Sequence, residues 1–258
     1  MSAFDDLRQR SFSALLMIPI PLVFLAMGGW WALILVGALM GLVMREFGRM
    51  AGVKRASLET LLMVLTGVLA VLAVWDSNWL LALASLAVSG VLYIVTPRAD
   101  GLRAFGSLYV AAACAGFLAI RLGMGFWPML WVILIVIATD VGGYFAGKRF
   151  GGPKFWPRVS PNKTWAGMIG GQALALLVTL IYALIMGWPL GGMLFASILA
   201  ATAAQAGDLL ESALKRIFAV KDSGTMFPGH GGLMDRIDGL GGAALAVSGY
   251  GALTGLFA

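Results

Sequence analysis

Between Gly207 and Asp238 the chain reads GDLLESALKRIFAVKDSGTMFPGHGGLMDRID, which gathers the side chains that bind metal ions and phosphate. Five of the twelve acidic residues (Asp208, Glu211, Asp222, Asp235 and Asp238), four bases (Lys215, Arg216, Lys221 and Arg236) and the single histidine, His230, fall inside it. The chain as a whole is 60% hydrophobic, with a mean hydropathy of +0.93. Charge this dense beside membrane is costly to keep, so a bound metal or phosphate is its natural reason.

The spacing sharpens that chemistry. Asp208, Glu211, Ser212 and Lys215 recur at i, i+3, i+4 and i+7, and share one face if the preceding apolar helix continues through them. Glu211 and Lys215 can then pair along it; the plainer alternative is a solvated amphipathic turn. Lys221-Asp222-Ser-Gly and Phe227-Pro-Gly-His230-Gly231-Gly232 make a glycine-rich stretch whose backbone amides can approach phosphate oxygens. No GxxxxGK[ST] occurs in it, so it is not a P-loop. Asp235 and Asp238 stand one helical turn apart and could serve one site. Hard oxygen ligands beside bases favour Mg²⁺, and a carboxylate pair could hold two cations bridging phosphate oxygens. Zinc would want more than one histidine and the remote Cys114. His230 could act as a base, a phosphate donor or a loop hydrogen bond, the last being the ordinary use of a lone histidine.

Two stretches upstream add to the set. Asp140 ends an apolar run and is followed by Gly142, Gly143, Gly147, Lys148 and Arg149. An acid at that depth is a functional candidate, or else pairs structurally with a neighbouring base. The two glycines suggest a broken or kinked helix, or a close backbone approach. The proline- and glycine-rich stretch 151–167 reads as a loop. It carries Ser160, Asn162, Lys163 and Thr164 just before a long apolar helix, where backbone N–H groups and Lys163 could face an anion. An inside-positive loop touching lipid headgroups is the competing reading.

The elements that must position these residues are membrane helices. Apolar stretches near 13–29, 30–44, 58–75, 79–96, 104–120, 126–147, 165–186, 189–206 and 239–257 predict an all-α, polytopic integral membrane protein with about nine transmembrane helices. Lipid cannot satisfy open backbone groups, and none of the stretches alternates as a barrel strand would. Placing the N-terminus in the cytoplasm puts every Lys and Arg except Arg121 in inward-facing segments, as the positive-inside rule requires. The C-terminus then lies on the opposite side, and the loops 148–164 and 207–238 both face the cytoplasm. The net charge of +6 follows from that topology and from attraction to anionic lipid, with no nucleic-acid partner needed. Residues 1–122 hold N-terminal and middle helices without visible chemistry; residues 123–258 form the expected catalytic region. The first apolar run reads as a retained helix, not a cleaved signal, and Cys114 as a small buried hydrophobe.

The segment from Ser212 to Asp238 resembles the signature of the CDP-diacylglycerol synthase (phosphatidate cytidylyltransferase) family without a mismatch. That pattern is S-x-L-K-R, four residues, K-D-x-G, then P-G-H-G-G, then D-R-x-D. Asp140-x-Gly-Gly-Tyr144-x-x-Gly147-Lys148 and Ser160-Pro-Asn162-Lys163-Thr164 are similar to family stretches too. Ala166 stands where many members carry Glu or Gln, which argues against a required role for that side chain. The resemblance implies Mg²⁺-dependent transfer of the cytidylyl group from CTP to phosphatidate, with release of pyrophosphate. It implies a bacterial-type cytoplasmic (inner) membrane enzyme, its active site facing the cytoplasm, among membrane lipids and as a homodimer.

By motif position, Asp208 and Asp235 would be the metal carboxylates of a two-cation centre, the second cation's identity being open. Lys215, Lys221 and Arg236 would stabilise the triphosphate and the leaving pyrophosphate. Asp222 and Asp238 would orient these bases or metal-bound waters, and Asp140 and Lys163 would complete the pocket. Ser160, Asn162, Ser212, Arg216, His230, Gly231 and Gly232 are the remaining candidates for substrate contact. A CTP-dependent polyprenol or dolichol kinase is the nearest rival, and the complete K-D…H-G-G…D-R-x-D string argues against it. A transporter would instead place its charges near mid-membrane on broken helices.

Overall fold

In a computed structural model the chain is described over residues 19–52, 58–78, 81, 84–85, 87, 101–224 and 231–254. Helices dominate: α1 (Pro19–Met27), α2 (Gly29–Met50), α3 (Leu58–Trp75), α4 (Gly101–Gly123), α5 (Phe126–Phe150), α6 (Trp165–Met186), α7 (Leu190–Ile217) and α8 (Met234–Thr254). Between α5 and α6 an antiparallel hairpin pairs β1 (Lys154–Trp156) with β2 (Ser160–Thr164). By length and composition, α2, α4, α5, α6 and α7 can each cross a membrane. The protein is therefore a helical integral membrane protein. Most of the expected apolar stretch 79–96 and the start of 13–29 lie outside the described residues.

Two compact units divide the chain. The first comprises residues 1–122 and 218–236, the second 123–217 and 237–258. In the first unit, α2 presents Val36, Met40, Val43, Met44 and Phe47 to the interior at helical spacing. This helix is longer than the expected 30–44 stretch because it runs on through Arg45, Glu46 and Arg49. Its boundary with α1 is set at Gly28, whose φ of +66° suits glycine. There Arg121 donates from Nε to the Leu25 carbonyl at 2.6 Å and from Nη2 to that of Ala26 at 3.4 Å. The last carbonyls of a helix lack partners within it, so Arg121 closes α1.

In the second unit α5 runs unbroken past Gly142 and Gly143, and close backbone approach is what those glycines serve. A Cβ on Gly142 would stand 2.6 Å from the Gly170 carbonyl oxygen, and one on Gly170 would collide with Ala146. Small residues let membrane helices approach this closely, since burial of apolar surface does not drive their association within lipid. Polar side chains complete the joint. Trp131 Nε1 donates to Thr179 Oγ1 at 3.1 Å, which donates to Ser197 Oγ at 2.8 Å, linking α5, α6 and α7. Gly170→Leu is expected to lower stability by about 1–3 kcal/mol, the usual cost of overpacking a tight contact. Its thermal unfolding in detergent, compared with that of an exposed Leu184→Ala control, checks this.

Candidate active site

Helix α7 is 28 residues long and carries Asp208, Glu211, Ser212 and Lys215 before ending at Ile217. The continuation expected from their spacing is therefore present. Ser212 Oγ donates to Asp208 Oδ1 at 3.4 Å, and Lys215 Nζ donates to Glu211 Oε2 at 3.1 Å. Glu211 is only 1% exposed, so its lysine is a partner held largely out of water.

The stretch read as a loop before α6 is the β1–β2 hairpin, and it delivers Lys163 to Asp208. Their Nζ and Oδ2 atoms lie 2.5 Å apart. The hairpin is fixed at both ends. Thr164, with φ −118° and ψ 156°, accepts from the Gly167 N–H at 3.1 Å and so caps α6. Arg216 Nε donates to the Val159 carbonyl at 3.4 Å, tying the end of α7 to the hairpin turn. Thr164→Val is expected to cost about 1 kcal/mol through the lost cap and to weaken the hold on Lys163. Thermal unfolding and the apparent KM for CTP check the two effects separately.

A cavity of about 740 Å³ opens here, a size suited to a nucleotide or similar ligand. Asp140, Asn162, Lys163 and Asp208 line it, together with Tyr144, Lys148, Lys154, Gln205 and a floor of glycines. Asp140 lies within electrostatic reach of both Asp208 and Lys163. Asp238, at the start of the last apolar stretch, is pushed up to about 6 by burial first and by the Asp208 charge second. A side-chain hydrogen bond with Glu211 and the Gly239 N–H work against that rise. Asp140, Asp208, Glu211 and Asp238 thus crowd like charge beside Lys163 and Lys215.

This donor set fits Mg²⁺. It is all hard oxygen, and the Asp208 charge that adds to the effect of burial on Asp238 is what a cation offsets. Among the described residues no three acidic, histidine or cysteine side chains converge as a ready-made metal cage. Mg²⁺ suits that arrangement, since it is commonly held by one or two carboxylates, by waters and by the phosphates of its substrate.

Asp235 belongs to the first unit. It sits in the first turn of α8, and its Oδ2 accepts three hydrogen bonds, each at 3.0 Å: from Ser223 N–H, Ser223 Oγ and Gly232 N–H. Lys221, Asp222 and Arg236 are exposed nearby in sequence, and Gly231 holds a φ of +81° that favours glycine. His230 lies outside the described residues. Ser160 does not line the cavity, and Arg216 meets the hairpin backbone.

Three kinds of residue were not among those expected to contact substrate or metal. Lys148, Lys154 and Tyr144 join the cavity because α5 extends to Phe150 and the hairpin folds beside it. Ser223 is the hub of the Asp235 contacts. Glu46 is 1% exposed at the end of α2, and its Oε2 accepts the Met234 N–H at 2.9 Å. The available signal for Glu46 was an acid adjoining an apolar stretch, easily taken for part of the basic loop that follows.

The chain is similar in sequence to known proteins. The cytidylyltransferase family matches residues 8–253. A phosphatidate cytidylyltransferase of Brucella suis is 39% identical, covering 74% of this chain and 72% of its own length. One from Pseudomonas aeruginosa is 36% identical, over 91% of this chain and 93% of its own. Another from Staphylococcus haemolyticus is 32% identical, over 90% and 94%.

Proposed function

The chain belongs to the cytidylyltransferase family, and we propose from that membership that it acts as its named relatives do, on CTP and phosphatidate. It transfers the cytidylyl group of CTP to phosphatidate, giving CDP-diacylglycerol and pyrophosphate. The observation that carries this reading is the cavity that Lys148, Lys154 and Lys163 line together with Asp140 and Asp208. It offers cations for a polyphosphate and carboxylates for a divalent ion.

A phosphate oxygen of phosphatidate attacks the α-phosphorus of CTP. The bond from that phosphorus to the oxygen bridging to the β-phosphate breaks, and pyrophosphate leaves with the electron pair. The nucleophile is already anionic at neutral pH, so no strong general base is required. The barrier is the approach of one anion to another, and catalysis consists of positioning and charge compensation. Lys163, Lys148 and Lys154 draw the triphosphate into the cavity. Lys215 offsets charge on the triphosphate and the leaving pyrophosphate. In the second unit Asp208 would hold Mg²⁺, with Asp238 orienting bases or metal-bound waters and Asp140 completing the pocket; by motif position Asp235 would be a metal carboxylate too. When bound, Mg²⁺ neutralises phosphate oxygens and polarises the reacting phosphorus centre.

The positions of the basic residues support a nine-span topology in the cytoplasmic membrane, with the N-terminus and the site facing the cytoplasm. In that arrangement the acyl chains stay in the bilayer while the headgroup reaches the cavity. Family resemblance supports a homodimer. Purified protein is expected to release pyrophosphate only when both CTP and phosphatidate are supplied. EDTA should stop the release and Mg²⁺ restore it; pyrophosphate released at the full rate without phosphatidate would contradict the reading.

A further inference from the structure

Helix α2 was expected to carry no chemistry, yet Glu46 near its end is a carboxylate almost wholly removed from water. Such burial is costly unless the group has partners. Its Oε2 accepts the Met234 N–H at 2.9 Å and faces Ser223 Oγ at 3.4 Å. Met234 is the first residue of α8, where a helix has no acceptor of its own for its N–H groups. Glu46 supplies that acceptor from a helix far away in sequence. Ser223 in turn donates from N–H and Oγ to Asp235 Oδ2.

Two glycines of the motif are explained by the same contact. A Cβ on Gly224 would collide with the Glu46 carboxylate. One on Gly232 would stand 2.8 Å from Glu46 Oε2 and 2.7 Å from the Gly224 nitrogen, and would collide with Ser223 Oγ. Both glycines leave the space that the glutamate fills. Glu46, Ser223 and Asp235 therefore form one connected chain between α2 and the start of α8, all within the first unit.

We infer that Glu46 is a positioning residue for the reaction: it fixes the Ser223–Gly224 and Gly232–Met234 backbone and thereby sets the direction of the Asp235 carboxylate. The inference rests on Asp235 being a metal carboxylate. Removing a group that orients a metal-binding side chain commonly costs about 10–100-fold in metal affinity or activity. Glu46→Ala is thus expected to raise the Mg²⁺ concentration for half-maximal activity by about ten-fold, with faster amide exchange at Ser223 and Met234. Glu46→Gln keeps a carbonyl oxygen that can accept the Met234 N–H, and should recover most of the Mg²⁺ response. Should Glu46→Ala fail to fold, Glu46→Asp, which draws the carboxylate back by one carbon, is expected to show the same two changes in smaller measure.

A folded Glu46→Ala protein with wild-type exchange at Ser223 and Met234 overturns the inference. So does a variant with faster exchange but a wild-type Mg²⁺ curve while Asp235→Asn is inactive, because Glu46 would then only stabilise the fold. Asp235→Asn with a wild-type Mg²⁺ response would remove the metal role of Asp235 alone. Exchange at Ser223 and Met234 would still decide whether Glu46 holds this backbone.

Discussion

Asp208→Asn is expected to leave the protein folded and to lower cytidylyl transfer by about 1,000-fold or more. A divalent ion contributes several kcal/mol to a phosphoryl-type transition state, and about 1.4 kcal/mol is a factor of ten in rate. Asn keeps the size of Asp and can still accept from Ser212 Oγ, so the change is almost purely one of charge. It removes the negative partner of Lys163, which lies 2.5 Å away, and the like charge that helps to raise Asp238. Stability should change little, since losing a partly exposed ion pair is offset by relieving carboxylate crowding. Steady-state rates with CTP and phosphatidate, read beside thermal unfolding in detergent, check both halves. A folded Asp208→Asn protein with near-normal turnover would sink the metal assignment.

Lys163→Ala is expected to lower turnover by about 100-fold, in the range seen when one preorganised charge is taken from a transition state. Lys163 lines the cavity and its side chain is 22% exposed, so it can reach substrate oxygens as well as Asp208. Lys163→Arg should restore only part of the rate, because a planar guanidinium does not replace a compact ammonium group. The Asp208→Asn, Lys163→Met double variant separates two roles for this lysine. If Lys163 served only to neutralise Asp208, the double variant would be no worse than Asp208→Asn alone. The expected result is a further loss of turnover.

Much of this site was legible in the sequence because membrane proteins tolerate few charges. The i, i+3, i+4, i+7 spacing of Asp208, Glu211, Ser212 and Lys215 announced one helix face, and α7 continues far enough to provide it. Asp140 stood out as an acid inside an apolar run and does line the cavity with Asp208. What was not legible depended on tertiary contact. The hairpin at 154–164 is too short and too rich in proline to show a strand period, and it forms because its ends are pinned by Thr164 and the Arg216–Val159 contact. The paired glycines at 142–143 could signal a break or a close approach. Only the neighbouring Gly170 and Ala146 decide for approach. Glu46 could not be matched to Met234, 188 residues away, by any local rule.

The central claim is that the transferred group is cytidylyl, taken from the α-phosphate of CTP. The most direct test supplies phosphatidate, a polyprenol and Mg²⁺ to the purified protein with CTP labelled either at the α- or at the γ-phosphate, and counts label in the lipid fraction. The account predicts that α-label enters lipid in equal amount to the pyrophosphate released, while γ-label leaves entirely with pyrophosphate. Lipid carrying γ-label, with CDP as the second product, would contradict it and identify a lipid kinase.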